Sequence, residues 1–137
     1  MQEELGLGGK LATVLFIDDH KCGSRRVVRK LRAGGYEVCI ALDVEEAIRL
    51  FRLHPVDAVV LDCGLCHPSH LDPVPVFRRL KSDVPMIMIS SYCGVGCEHM
   101  SDADVCLQAG ESDAILLKTL EAMLCARRYG LFRSIAT

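Results

Sequence analysis

The sequence predicts an α/β fold: a doubly wound, five-stranded parallel sheet covered by helices on both faces. Three observations predict it. Short apolar runs recur, Val14-Leu15-Phe16-Ile17 and Val59-Val60-Leu61, each bounded by turn signals, as strands buried on both faces are. Segments with apolar residues at helical spacing alternate with such runs, and strand followed by helix, five times over, implies parallel strands with right-handed crossovers. Both runs end in acid, Asp18-Asp19 after the first and Asp62 after the second. Open parallel sheets hold their ligands in the crevice beyond the carboxyl ends of the strands. Acids delivered to that edge make an oxygen-ligand site for a hard cation such as Mg2+.

Size and composition fit that fold. The 137 residues suit one domain, 50% hydrophobic residues suffice for a core, and 25% charged residues make an ordinary surface. We expect a domain over residues 10–128, with a loose polar leader over 1–9 and a tail over 129–137. A net charge of −2 and no evident basic stripe predict no nucleic-acid partner. No apolar run reaches membrane-spanning length, and the start, Met1-Gln2-Glu3-Glu4, lacks the basic and apolar regions of a signal peptide. The expectation is a cytoplasmic protein without a membrane partner. Its eight cysteines are then reduced rather than paired.

Taken in order, residues 11–17 form the first strand, and Asp18-Asp19-His20 the loop after it. Residues 24–33 form a helix with Val27, Val28 and Leu31 on one face, stopped by Gly34-Gly35. A second strand covers 36–41. Asp43 caps the next helix, with Glu46 three residues on as in a capping box. Val44, Ala47, Ile48 and Phe51 form its buried stripe, and His54-Pro55 ends it. The third strand ends at Asp62. Residues 63–71 form a loop, and Asp72-Pro73 opens a short helix to residue 80. Residues 85–90 form the fourth strand. Residues 91–101, with Gly94, Gly96 and two cysteines, leave the helix after it short or missing. Residues 104–108 are a weak fifth strand. The last helix, over 112–128, turns Leu116, Leu120, Met123 and Leu124 inward, with Arg127 and Arg128 suited to its carboxyl end.

These residues resemble the CheY-like receiver domain of two-component response regulators, from about Leu11 to Arg128. The resemblance rests on Asp18-Asp19 after strand one, Asp62 ending strand three, and Ser90 after Pro85-Met86-Ile87-Met88-Ile89. It implies a flavodoxin-like sheet in the order 2-1-3-4-5. It also implies roles: Asp62 accepts a phosphoryl group from a histidine kinase, and Asp19 and Asp62 hold Mg2+ directly. Asp18 acts mainly through water, the Gly64 carbonyl adds a ligand, and the Ser90 hydroxyl bonds a phosphoryl oxygen beside small Ser91. The chemistry stands on its own, since a carboxylate and a dianionic phosphoryl group repel until a divalent cation neutralises their charge.

The resemblance also marks departures. The family's lysine at the end of strand five aligns with Ala109, and its aromatic switch position with Cys106. Lys118 falls inside the last helix. Loss of one member of a buried charge pair costs roughly 2–5 kcal/mol, which predicts weakened phosphorylation or weakened readout.

Cys63-Gly64-Leu65-Cys66-His67 matches the haem-attachment pattern, but no export signal or second axial ligand accompanies it. If the loops after strands three and four are neighbours, Cys63, Cys66, Cys93 and Cys97 could instead take Zn2+, with His67, His70 and His99 as spares. Unrelated loop cysteines are the more ordinary explanation. Cys22, Cys39, Cys106 and Cys125 are expected to pack, and His20 and His54 to flank helices.

The function expected is therefore a single-domain response regulator, phosphorylated on Asp62 with Mg2+ and signalling by docking to a downstream protein. It is not expected to be an enzyme beyond self-phosphorylation and self-dephosphorylation. The alternative is a degenerate receiver, an interaction module tuned by metal or redox state at its loop cysteines.

Overall fold

The computed structural model describes residues 12–18, 24–63, 74–90, 103–108 and 113–130, with Asp62, Cys63 and Ser90 placed by their backbone. The elements run β1 (Thr13–Asp18), α1 (Ser24–Ala33), β2 (Glu37–Ala41), α2 (Val44–Leu53), β3 (Ala58–Cys63), α3 (Val74–Leu80), β4 (Met86–Ser90), β5 (Val105–Gln108) and α4 (Asp113–Arg128). The five strands form one sheet in the order β2-β1-β3-β4-β5, and every pairing is parallel. The expected fold and strand order are both observed. Residues 91–102, where a helix between β4 and β5 would fall, lie outside the described residues, as do 1–11 and 131–137.

The apolar runs lack polar alternation because both faces of the central strands are covered. Leu15, Ile17, Val59 and Leu61 project to one side, where they join Ala47 and Phe51 of α2 and Val74 and Phe77 of α3. Val14, Phe16, Val60 and Ile87 project to the other, against Val28 and Leu31 of α1 and Leu116, Leu120 and Met123 of α4. Period-two alternation thus feeds two cores from one run. Phe51 and Phe77 join α2 to α3 with ring centroids 4.5 Å apart. Both are fully buried, and truncating either to alanine costs about 3–5 kcal/mol.

The punctuation predicted at Gly34-Gly35, Asp43 and His54 is observed in atomic detail, while Asp72-Pro73 lies outside the described residues. Gly35 lies at φ 98°, its N–H donates to the Arg32 carbonyl, and that of Tyr36 donates to Leu31. This is the paired-bond ending that a left-handed residue permits. The Asp43 Oδ1 accepts from the Glu46 N–H at 2.8 Å. Glu46 reaches back in turn, but to the N–H of Leu42 at 3.1 Å, one residue earlier than a standard capping box. His54 caps α2 through its N–H to Leu50.

Four expectations need correction. Asp18 is not in a loop: it is the last residue of β1 and 1% exposed, because β1 lies between β2 and β3 and pairs with β3 as far as its final residue. Cys106 and Cys125 do not pack. Both are exposed, whereas Cys39 is partly buried. Cys106 lies on an edge strand, and Cys125 is one position past the inward stripe of α4. Arg127 does not merely complement the helix end, since its guanidinium reaches Asp57 and Asp83. Finally, a basic stripe does exist, on α1, where Arg25, Arg26, Arg29, Lys30 and Arg32 are all exposed. Overall charge concealed it.

Candidate functional site

The carboxyl edge of the sheet is built by register. Asp18 of β1 is the Cα partner of Asp62 of β3, and Asp62 is in turn the partner of Ile89 of β4. One row further on, Cys63 pairs with Ser90, and Ser90 with Gln108 of β5. Neighbouring strands lie about 4.8 Å apart. Asp18, Asp62 and Ser90 thus fall within two adjacent rows across three central strands.

Why the sequence does this is plain from its strands. The apolar residues of β1 and β3 anchor them in both cores, and the acids are the first polar residues after those runs. Among the described residues, Asp18 is the one charged side chain that is buried, and it is held by an interaction within the fold. A carboxylate so placed, with a second acid opposite in the next strand, creates a concentration of negative charge that a hard divalent cation relieves. The donor chemistry fits Mg2+.

The structure brings Asp18, Asp62 and Ser90 to one edge. Asp19, Gly64 and Ala109 lie outside the described residues, as do Cys66, Cys93, Cys97 and the three spare histidines. Among the described residues, no group of three or more His, Cys, Asp or Glu forms a metal cluster, and nothing supports the zinc alternative. Lys118 is exposed on α4.

Sequence reasoning missed a second set of aspartates, at the opposite edge. Asp57 immediately precedes β3, and its Oδ2 accepts from the N–H of Thr13, the first residue of β1, at 2.8 Å. Asp104 immediately precedes β5, and its Oδ2 accepts from the N–H of Met86, the first residue of β4, at 2.8 Å. Each has an arginine. Asp104 Oδ1 meets the Arg78 guanidinium at 2.7 Å, with the two side chains only 15% and 18% exposed. Asp57 meets Arg127 at 3.4 Å. The available signal was an aspartate one residue ahead of a strand, which suits a carboxylate that bonds the first N–H of the neighbouring strand.

A parallel sheet in this order, with acids at its carboxyl edge, defines a doubly wound α/β domain of the flavodoxin-like type. Residues 14–126 match the Response regulator receiver domain family, and the chain belongs to that family. The transcriptional regulatory protein PrrA of Mycobacterium tuberculosis is 32% identical over 120 residues, 88% of this chain and 49% of PrrA. The acid tolerance regulatory protein ActR of Rhizobium meliloti is 27% identical over 113 residues, 80% of this chain and 58% of ActR. The chain spans about half the length of the curated relatives it matches. A CheY-like receiver domain protein from Methanospirillum hungatei JF-1 superposes with a TM-score of 0.77 at 20% identity, over 88% of this chain and 99% of that one. The likeness is one of fold. No helix among the described residues is long and apolar enough to cross a membrane.

Proposed function

We propose that Asp62 accepts a phosphoryl group from a histidine kinase, with Mg2+ required, and that the change is read by a downstream protein that docks on the domain. The observation that carries this reading is the register of buried Asp18 opposite Asp62 at the carboxyl edge. Mg2+ would be held by Asp19, Asp62 and the Gly64 carbonyl, with Asp18 acting through water. When bound, the ion supplies charge neutralisation between two anions. Asp62 provides the attacking oxygen, and the Ser90 hydroxyl orients the incoming phosphoryl oxygen. Turnover is limited to gain and loss of that group, so the chain acts as a switch rather than as an independent enzyme. Its place is the cytoplasm, where such kinases present their phosphoryl groups.

The test is intact mass after incubation of reduced protein with Mg2+ and a small phosphodonor, beside Asp62→Ala. Gain of one phosphoryl group by the parent alone is expected. No gain by folded parent with Mg2+ in excess overturns the proposal.

A second reading is a receiver that works by contact without phosphorylation. Cys106 favours it: at the position that resemblance assigns to an aromatic switch, β5 carries a small, exposed thiol, which has no ring to swing between two environments. The same mass measurement separates the readings.

A further inference from the structure

We propose that two copies of this chain pair through the outward face of α2, with the two helices antiparallel. Ala47 and Phe51 are the buried residues of that helix. At about 100° per residue, Glu45, Arg49, Arg52 and Leu53 fall within an arc of about 100° on the opposite side, and all four are exposed. Leu53, the last residue of the helix, is 67% exposed. Leu42, 46% exposed, stands just ahead of the Asp43 cap, where its N–H donates to Glu46 Oε1 at 3.1 Å. The face thus carries acid near its start, base towards its end, and an exposed leucine at each limit. Among the described residues, Glu45 and Arg52 make no ion pair. Arg49 meets Glu46 of its own helix at 3.9 Å, with its side chain 64% exposed.

The order of these residues along the helix decides the occupant. A surface acidic at one end and basic at the other is complementary to itself when turned around, which is the condition for a two-fold interface. With Leu42 opposite Leu53 of a second copy, Glu45 falls opposite the span from Arg49 to Arg52 of that copy. The two-fold repeats both contacts, so two leucine pairs flank two clusters of opposite charge. A parallel arrangement would set acid against acid and base against base, and would place the helix dipoles side by side in the same sense. A partner of a single charge would match only half of this face. One helix from each copy makes a small interface, so the pairing is weak and depends on concentration.

The test is sedimentation equilibrium of the full chain up to millimolar concentration, at low and at high salt. Reductant keeps exposed Cys106 and Cys125 from cross-linking copies. The parent should pass from monomer to dimer and no further, and salt should weaken the dimer. Two variants split the face, Glu45→Arg and the double change Arg49→Glu with Arg52→Glu. Each sets like charges against each other in its own dimer and should self-associate roughly tenfold more weakly, or less still. Mixed together, they should pair one to one and at least as tightly as the parent, since every charge then meets its opposite. Leu53→Ser, which alters no charge, should also weaken the parent dimer. Circular dichroism establishes that each variant is folded. A parent that stays monomeric at low salt, or that grows beyond the dimer, would overturn the proposal. So would variants that self-associate like the parent, or folded variants that do not pair when mixed.

Discussion

The two edges of the sheet use aspartate differently. At the amino edge, Asp57 and Asp104 each precede a strand, bond the first N–H of the neighbouring strand, and meet an arginine. Their charge is offset within the fold. At the carboxyl edge, Asp18 and Asp62 end their apolar runs in adjacent strands and lie in register, so two acids are brought together at one place in the sheet. The difference teaches where to look for chemistry in such a sheet: where the fold brings two acids into register, not where each acid is matched with an arginine.

The sharpest way to break this comparison is at the carboxyl edge. Asp18→Asn should leave a folded protein, since the amide is isosteric and relieves repulsion. On the proposed role of Asp18 through water, it should slow Mg2+-dependent phosphorylation about 10–100-fold. Initial rates against Mg2+ concentration measure it, and an unchanged rate would remove Asp18 from the site.

At the amino edge the same kind of change should act on stability alone. Asp104→Ala leaves the Met86 N–H and the Arg78 guanidinium without their short contacts in a largely buried place. The expected loss is about 2–4 kcal/mol, read as a lower urea midpoint with an unchanged slope. Phosphorylation of the folded fraction should match the parent. A rate defect in folded Asp104→Ala would mean that the two edges are coupled.

Asp57→Ala should act in the same direction but less, about 1–2 kcal/mol. Its side chain is 39% exposed and its Arg127 contact is longer, so water replaces part of what is lost. A double-mutant cycle with Arg127→Ala isolates the ion pair from the Thr13 hydrogen bond. A coupling near zero would assign the whole effect to the hydrogen bond.

The carboxyl edge was more legible than the amino edge for a physical reason. Val14 to Ile17 and Val59 to Leu61 are local patterns, and the acids that end them stand out by adjacency. The bounds of α1, the Asp43 cap and the Gly35 ending were equally local. The amino-edge pairs are not: Arg127 and Asp57 are 70 residues apart, and Arg78 meets Asp104 only because β4 and β5 are neighbours. Nothing near Arg127 in the chain announces an acid partner, so helix-end complementarity was the natural reading. The basic arc on α1 was hidden differently, by averaging against acids elsewhere. Of the expected ligand set, Asp18 and Asp62 are placed, and Asp19 and Gly64 fall outside the described residues.

Tyr36 sharpens the comparison least but extends it to pH. It follows α1 at the amino edge, just before β2. Burial, and then the nearby Glu121 carboxylate, raise its phenol above the ordinary value of 10.0. The folded chain therefore holds this proton more tightly than the unfolded chain. The stability so contributed is fully present below pH 10 and is lost as pH rises through the folded value. Tyr36→Phe has no such proton to lose. Its stability relative to the parent should be constant from pH 7 to 9 and should improve above pH 10, as the parent weakens. Urea midpoints for both proteins across pH 7–11 check this. Parallel curves throughout would mean that Tyr36 ionises alike in the folded and unfolded chains, and that alkaline loss of stability arises elsewhere.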